Sequence, residues 1–143
     1  MTSASRTFER RIDALADVFA FVAEQGAAAD VVRRADLVLE ELFTNVVRHG
    51  GGTAPVAITI ETVVDGLEIT LDDPDADPFD VTQAPEVDTA LPIDQRRPGG
   101  LGLHLIKRLV VSIDHRYIAA DRHSRIRFRV IRASQPPGGD PAR

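Results

Sequence analysis

Two stretches of alternating apolar residues, PVAITIETV at 55–63 and GLEITLD at 66–72, meet at Asp65-Gly66 and narrow the fold more than any other feature of the chain. A period of two puts every second side chain on one face of an extended strand. An Asp-Gly step between two such runs signals a tight hairpin, so these neighbours are antiparallel. To either side the period lengthens. Phe8, Ile12, Leu15, Phe19 and Val22 recur at steps of three and four and predict an amphipathic helix over 8–25, ended by Gly26. Asp30 is placed to cap a second helix, a rod about 30 Å long. Its apolar positions Val31, Ala35, Val38, Leu42 and Val46 hold one stripe as far as the HGGG run at 49–52. A third helix is expected in GGLGLHLIKRLV (99–110), followed by strands in VSIDHRYIAA (111–120) and HSRIRFRVI (123–131).

The order helix, helix, strand, strand, helix, strand, strand, joined by short links, specifies an α+β two-layer sandwich with a mostly antiparallel sheet and helices on one face. It does not describe a doubly wound parallel sheet, in which strands alternate singly with crossover helices. A length of 143 residues fits one domain, and 43% hydrophobic content suffices for one core. That domain is expected to span 1–131, and RASQPPGGDPAR (132–143) reads as a disordered tail. Residues 74–98 hold five of the nine prolines and have no regular period, and a loop that long is either functional or disordered.

Composition removes several function classes. The absence of cysteine excludes disulfides, thiolate metal sites and cysteine nucleophiles. A net charge of −5 argues against nucleic acid as a partner, since affinity for a phosphate backbone depends on clustered Lys and Arg. No apolar run approaches the roughly 20 residues needed to span a bilayer, and the N-terminus lacks the apolar core of a signal peptide. No membrane association is expected, and the expected setting is the cytoplasm.

Three features carry candidate chemistry. In LVLEELFTNVVRHGGG (37–52), Glu41, Asn45 and His49 stand one turn apart on the second helix. Such a row is either the solvated side of the helix or a site. In the second case Glu41 takes or orients a proton and Asn45 offers a carbonyl oxygen to Mg²⁺, a cation that prefers oxygen ligands. His49 is placed to stack, to cap the helix end or to face solvent. In RRPGGLGLHLI (96–106), Gly99, Gly100 and Gly102 open the third helix, where free N–H groups attract anions, although a hinge before a helix has the same composition. In LEITLDDPDADPFD (67–80), counting by twos from Leu67 through Ile69 and Leu71 brings Asp73 onto the core-facing side. A carboxylate there needs a partner, which a ligand amino group can be; the alternative is a solvated Asp-Pro turn.

Taken in order, ExxxN on a helix, an acidic strand end, a long loop and GGLGL opening another helix resemble the N, G1 and G2 boxes of the Bergerat-fold (GHKL) ATPase superfamily. The wording EELFTNVVRHG, the small size and the PFD after the acids are similar to the anti-sigma-factor serine kinases of partner-switching systems, the RsbW and SpoIIAB type. The resemblance covers roughly residues 8–131. It implies ATP and Mg²⁺ as cofactors, with Glu41 as catalytic base and Asn45 as Mg²⁺ ligand. Asp73 would lie on the adenine, Arg97 on the γ-phosphate and the run Gly99, Gly100, Leu101, Gly102 and Leu103 at the phosphates, with 74–98 as a lid. The implied partners are an anti-anti-sigma (STAS-type) protein, which is phosphorylated on serine or threonine, and a sigma factor, which is sequestered; the family also implies a homodimer. The chain departs from the pattern at the G1 box, where Ala76 stands for a glycine and Asp75 competes with Asp73 as the adenine ligand. Strand alternation favours Asp73. A module that binds its partner without transferring phosphate is the alternative function.

Overall fold

The hairpin forms the middle of an antiparallel sheet. The computed structural model describes residues 2–49, 51–77 and 100–133, and among these five strands lie in the order β1-β2-β3-β5-β4. They are β1 (Ser3–Phe8), β2 (Val56–Val63), β3 (Gly66–Asp73), β4 (Ser112–Ile118) and β5 (His123–Ile131). A 3-10 turn (Ile12–Ala14) leads into helix α1 (Leu15–Ala23), followed by α2 (Ala29–His49), and α3 (Gly100–Leu109) precedes β4.

Alternation decides which face is covered. Val56, Ile58 and Ile60 of β2, Leu67, Ile69 and Leu71 of β3, and Ile126, Phe128 and Val130 of β5 are all buried. Their register sets Ile60 beside Ile69, Ile69 beside Phe128 and Phe128 beside Ile113, a continuous apolar row across four strands. The helices close over that row with Val18, Phe21 and Val22 of α1, the stripe Val31, Ala35, Val38, Leu42 and Val46 of α2, and Ile106 of α3. Each large side chain so buried contributes about 1.5–3 kcal/mol of transfer free energy. The other face is polar, with Arg125 paired to Asp72 at 2.7 Å and Arg129 to Glu68 at 2.9 Å. The two-layer α+β arrangement expected from the element order is the one observed.

The start of the chain differs from expectation. Residues 8–25 are not one helix: Phe8 ends a strand, Ile12 begins the 3-10 turn and only Leu15–Ala23 is α-helical. The helical spacing of Phe8 and Ile12 is a coincidence between two elements, and Ile12 is 43% exposed. Strand β1 has a weak period because its inward positions, opposite Ile60, Ile58 and Val56 of β2, are Ala4, Arg6 and Phe8. Arg6 stays exposed, with its guanidinium 4.6 Å from the centre of the Phe21 ring and 3.1 Å from the Glu24 carboxylate. Helix α2 also begins one residue before Asp30, whose carboxylate, in the first turn, accepts the Ala133 N–H at 2.9 Å.

The turn between β2 and β3 comprises Val64 and Asp65, with Asp65 at a φ of 67°. Gly66 is required for a different reason, namely close approach: a Cβ there would lie 1.9 Å from the Val130 carbonyl oxygen of β5. Gly66→Ala should therefore destabilise the protein by about 1–3 kcal/mol, as overpacking against a fixed backbone does. The check is a fall in the urea midpoint at unchanged m-value.

Candidate functional site

Helix α2 turns Glu41 and Asn45 toward the boundary between core and surface. Asn45 is buried, with 8% exposure, one turn along the helix from Glu41. Its amide offers Oδ1 as an acceptor and Nδ2 as a donor. Among the described residues the Glu41 Oε1 atom is buried without a hydrogen-bond partner. Burial pushes the Glu41 carboxyl above the ordinary carboxylate range and the neighbouring Glu40 charge adds to this, while Arg48 and Asn45 oppose it. The polar row is thus not a solvated stripe at these two positions. His49 occupies the exposed last residue of the helix, next to Arg48, whose charge complements the helix dipole.

A cleft of about 450 Å³ opens over Glu41. Ile12 and Leu15 form one wall, Leu37, Thr44 and Arg48 of α2 the floor, and Leu105, Ile106 and Leu109 of α3 the other wall. Helix α3 begins at Gly100, so Gly100, Leu101, Gly102 and Leu103 form its first turn, where N–H groups lack intrahelical partners. Arg97, Gly99 and all of the expected lid beyond residue 77 lie outside the described residues.

Asp73 ends β3 on the face that the strand count requires, with 3% exposure, so the need for a partner is real. Its partner in the structure is Arg10. The guanidinium donates Nη1–H to Oδ2 at 3.0 Å and Nη2–H to Oδ1 at 2.5 Å, and its Nε–H binds the Ala54 carbonyl at 3.1 Å. The Asp75 N–H adds a third hydrogen bond to Asp73, at 3.0 Å to Oδ1. Opposite Asp73 in the register lies Ser124 of β5, also buried, with its Oγ 2.8 Å from His115 Nε2.

Asp75 points elsewhere. Its carboxylate accepts the Thr53 N–H at 2.9 Å and lies 3.7 Å from Arg122. The Thr53 hydrogen bond, followed by Arg122, holds its carboxyl below the ordinary range. Ala76 is fastened between strands: its N–H binds the Arg122 carbonyl at 2.8 Å and its carbonyl accepts the Tyr117 hydroxyl at 3.1 Å. Its backbone does not have a positive φ, so no glycine is needed there. The close approach is supplied by the loop after α2, where a Cβ on Gly51 would lie 2.0 Å from Asp77 Oδ2 and one on Gly52 1.9 Å from the Asp75 carbonyl oxygen.

The sequence reading missed Arg10, Ser124 and Arg122. Only Arg10 left a signal there, since a carboxylate predicted to point inward implies a buried cation somewhere in the chain.

Comparison with protein families brings this geometry under one description. The model of the histidine kinase-like ATPase domain matches residues 6–130, and the chain belongs to that family. Its fold is similar to the crystal structure of the RsbU and RsbW domains of Rv1364c from Mycobacterium tuberculosis, with a TM-score of 0.63 at 16% identity. The match covers 94% of this chain and 34% of that one, so the chain spans about a third of that protein's length. Comparison with curated protein sequences finds no match. The resemblance to the GHKL superfamily is borne out, and an ATPase domain is an ATP-binding module. Among the described residues, the unpartnered carboxylate oxygen of Glu41 and the N–H groups of the first α3 turn have the chemistry such a ligand calls for.

The raised Glu41 carboxyl has a consequence for stability. A group whose folded-state pKa lies above its unfolded value, about 4.5 for glutamate, contributes stability in full below that value and loses it as the pH rises through the folded pKa. Glu41→Gln cannot ionise. The variant should melt at a higher temperature than the wild type at pH 7, and the difference should vanish by about pH 4. Thermal unfolding at the two pH values is the check, and an equal offset at both would mean that the carboxylate is not desolvated.

Proposed function

We propose that this domain is an ATP-dependent serine/threonine protein kinase that also acts as an anti-sigma factor in a partner-switching system. The observation that supports the proposal best is the buried, unpartnered Oε1 of Glu41 beside Asn45. A carboxylate held in that state costs stability and makes physical sense if a proton-bearing group is to meet it.

In this reading ATP supplies the transferable γ-phosphoryl group when bound. Glu41 accepts the proton of a serine or threonine hydroxyl on the protein substrate, and its raised pKa brings it closer to the value a general base needs near neutral pH. Asn45 holds Oδ1 toward a Mg²⁺ ion. The N–H groups of the first α3 turn, Gly100 to Leu103, face phosphate charge, with Gly99 and Arg97 preceding them in sequence. Asp73 reads the adenine. Phosphoryl transfer needs mainly such positioning and charge stabilisation, with little covalent work from the protein. The substrate is an anti-anti-sigma protein of the STAS type, the sequestered partner is a sigma factor, and the assembly is a homodimer in the cytoplasm.

A second reading, sequestration without phosphate transfer, draws on the G1 region, where Arg10 already engages Asp73. Incubation with labelled ATP, Mg²⁺ and a STAS-type partner separates the two, since label on the partner's serine or threonine is expected only of a kinase.

Two substitutions then assign roles. Glu41→Gln should retain ATP binding while lowering transfer by roughly 10²- to 10⁴-fold, the usual effect of losing a positioned base. Asn45→Ala should weaken Mg²⁺-dependent ATP affinity, read by calorimetry with and without the metal. Identical titrations to wild type would make Asn45 structural only.

A further inference from the structure

We infer that Arg10 is a positioning residue for base recognition, and that its fork on Asp73 sets the preference for a purine carrying an amino group at C6. The inference rests on the proposal that Asp73 reads the base. Arg10 belongs to neither of the motifs that carry the family resemblance near it, since it lies in the link between β1 and the 3-10 turn.

The argument is one of hydrogen-bond capacity. An ionised carboxylate is an acceptor only and offers about four lone-pair positions. At Asp73 three are filled among the described residues: one on Oδ2 by Arg10 Nη1, and two on Oδ1 by Arg10 Nη2 and the Asp75 N–H. One position remains, on Oδ2. The side chains of both ion-pair partners are almost wholly buried, at 6% and 4% exposure, and Arg10 is itself held by the Ala54 carbonyl. A planar two-pronged contact fixes the plane of the carboxylate, and with it the direction of the remaining lone pair. Among the described residues, Asp73 therefore has one acceptor position left for a donor. A 6-amino purine lying with C6 toward Asp73 brings one, whereas a 6-keto purine in the same pose sets a second acceptor against the carboxylate, and its own donors at N1 and N2 meet it only if the base shifts.

Lysine at position 10 keeps the charge but loses the planar fork, so the carboxylate can turn. The paired variant Arg10→Met with Asp73→Asn removes both charges together. It avoids the uncompensated buried charge that endangers folding in Arg10→Met alone, and its amide can either donate or accept.

Calorimetric titration of ATP and GTP, each with Mg²⁺, against wild type, Arg10→Lys and the paired variant tests the inference. Wild type should prefer ATP. Arg10→Lys should bind ATP about tenfold more weakly with GTP little changed, so that the ATP-to-GTP ratio falls about tenfold, the scale of one charged hydrogen bond. In the paired variant the ratio should approach one. A purely structural role would weaken both nucleotides in parallel and leave the ratio intact. That result, or unchanged affinities in Arg10→Lys, or a wild-type ratio in the paired variant, overturns the assignment of Arg10. Failure of wild type to bind either nucleotide overturns the ATP-binding reading itself, and the assignment of Arg10 with it.

Discussion

The apolar phase of β3 does not stop where its apolar residues do. Leu67, Ile69 and Leu71 commit one face of the strand to the core, and the next residue in phase is Asp73. A charge carried into that position is tolerated only with a partner of opposite sign and good geometry. The partner reaches in from the end of β1, on the far side of β2, and ties three segments together: the link after β1, the loop before β2 and the end of β3. The acids that follow take their places from this point. Asp75 donates its N–H back to Asp73 and sends its carboxylate to Thr53, and Ala76 is caught between Tyr117 and Arg122. One buried ion pair thus settles how the chain leaves the sheet on the side where the acidic segment begins.

How much of this was legible in the sequence depended on whether a residue's environment is local. The β2–β3 hairpin and the α2 stripe followed from period alone, because each buries one face against a single continuous core. The inward direction of Asp73 was legible for the same reason. Strand β1 was not, since it lies at the edge of the sheet and of its residues only Phe8 is buried. Nor was the identity of the Asp73 partner, which lies 63 residues away in sequence. Period shows that a charge needs compensation; only the fold brings the compensating residue to it.

Helix α2 serves two incompatible demands along its length. The stripe from Val31 to Val46 anchors it to the sheet, and Phe43 and Leu42 are fully covered. On the adjoining face the same helix carries a carboxylate whose Oε1 is withdrawn from water and, among the described residues, left without a hydrogen-bond partner. A helix selected for stability alone would place an apolar or fully exposed residue at 41. The strength of the anchoring face is what makes the cost at the other face bearable, and functional groups are commonly held in such unfavourable states by well-packed surroundings.

Gly51 and Gly52 show what a close approach between two loops demands of a sequence. A side chain must be missing at the point of nearest contact. Here the loop after α2 omits it, where a Cβ would meet Asp77 and the Asp75 carbonyl. The acids after β3 can hold their places only while the facing loop stays bare, so two segments far apart in sequence are constrained as a pair.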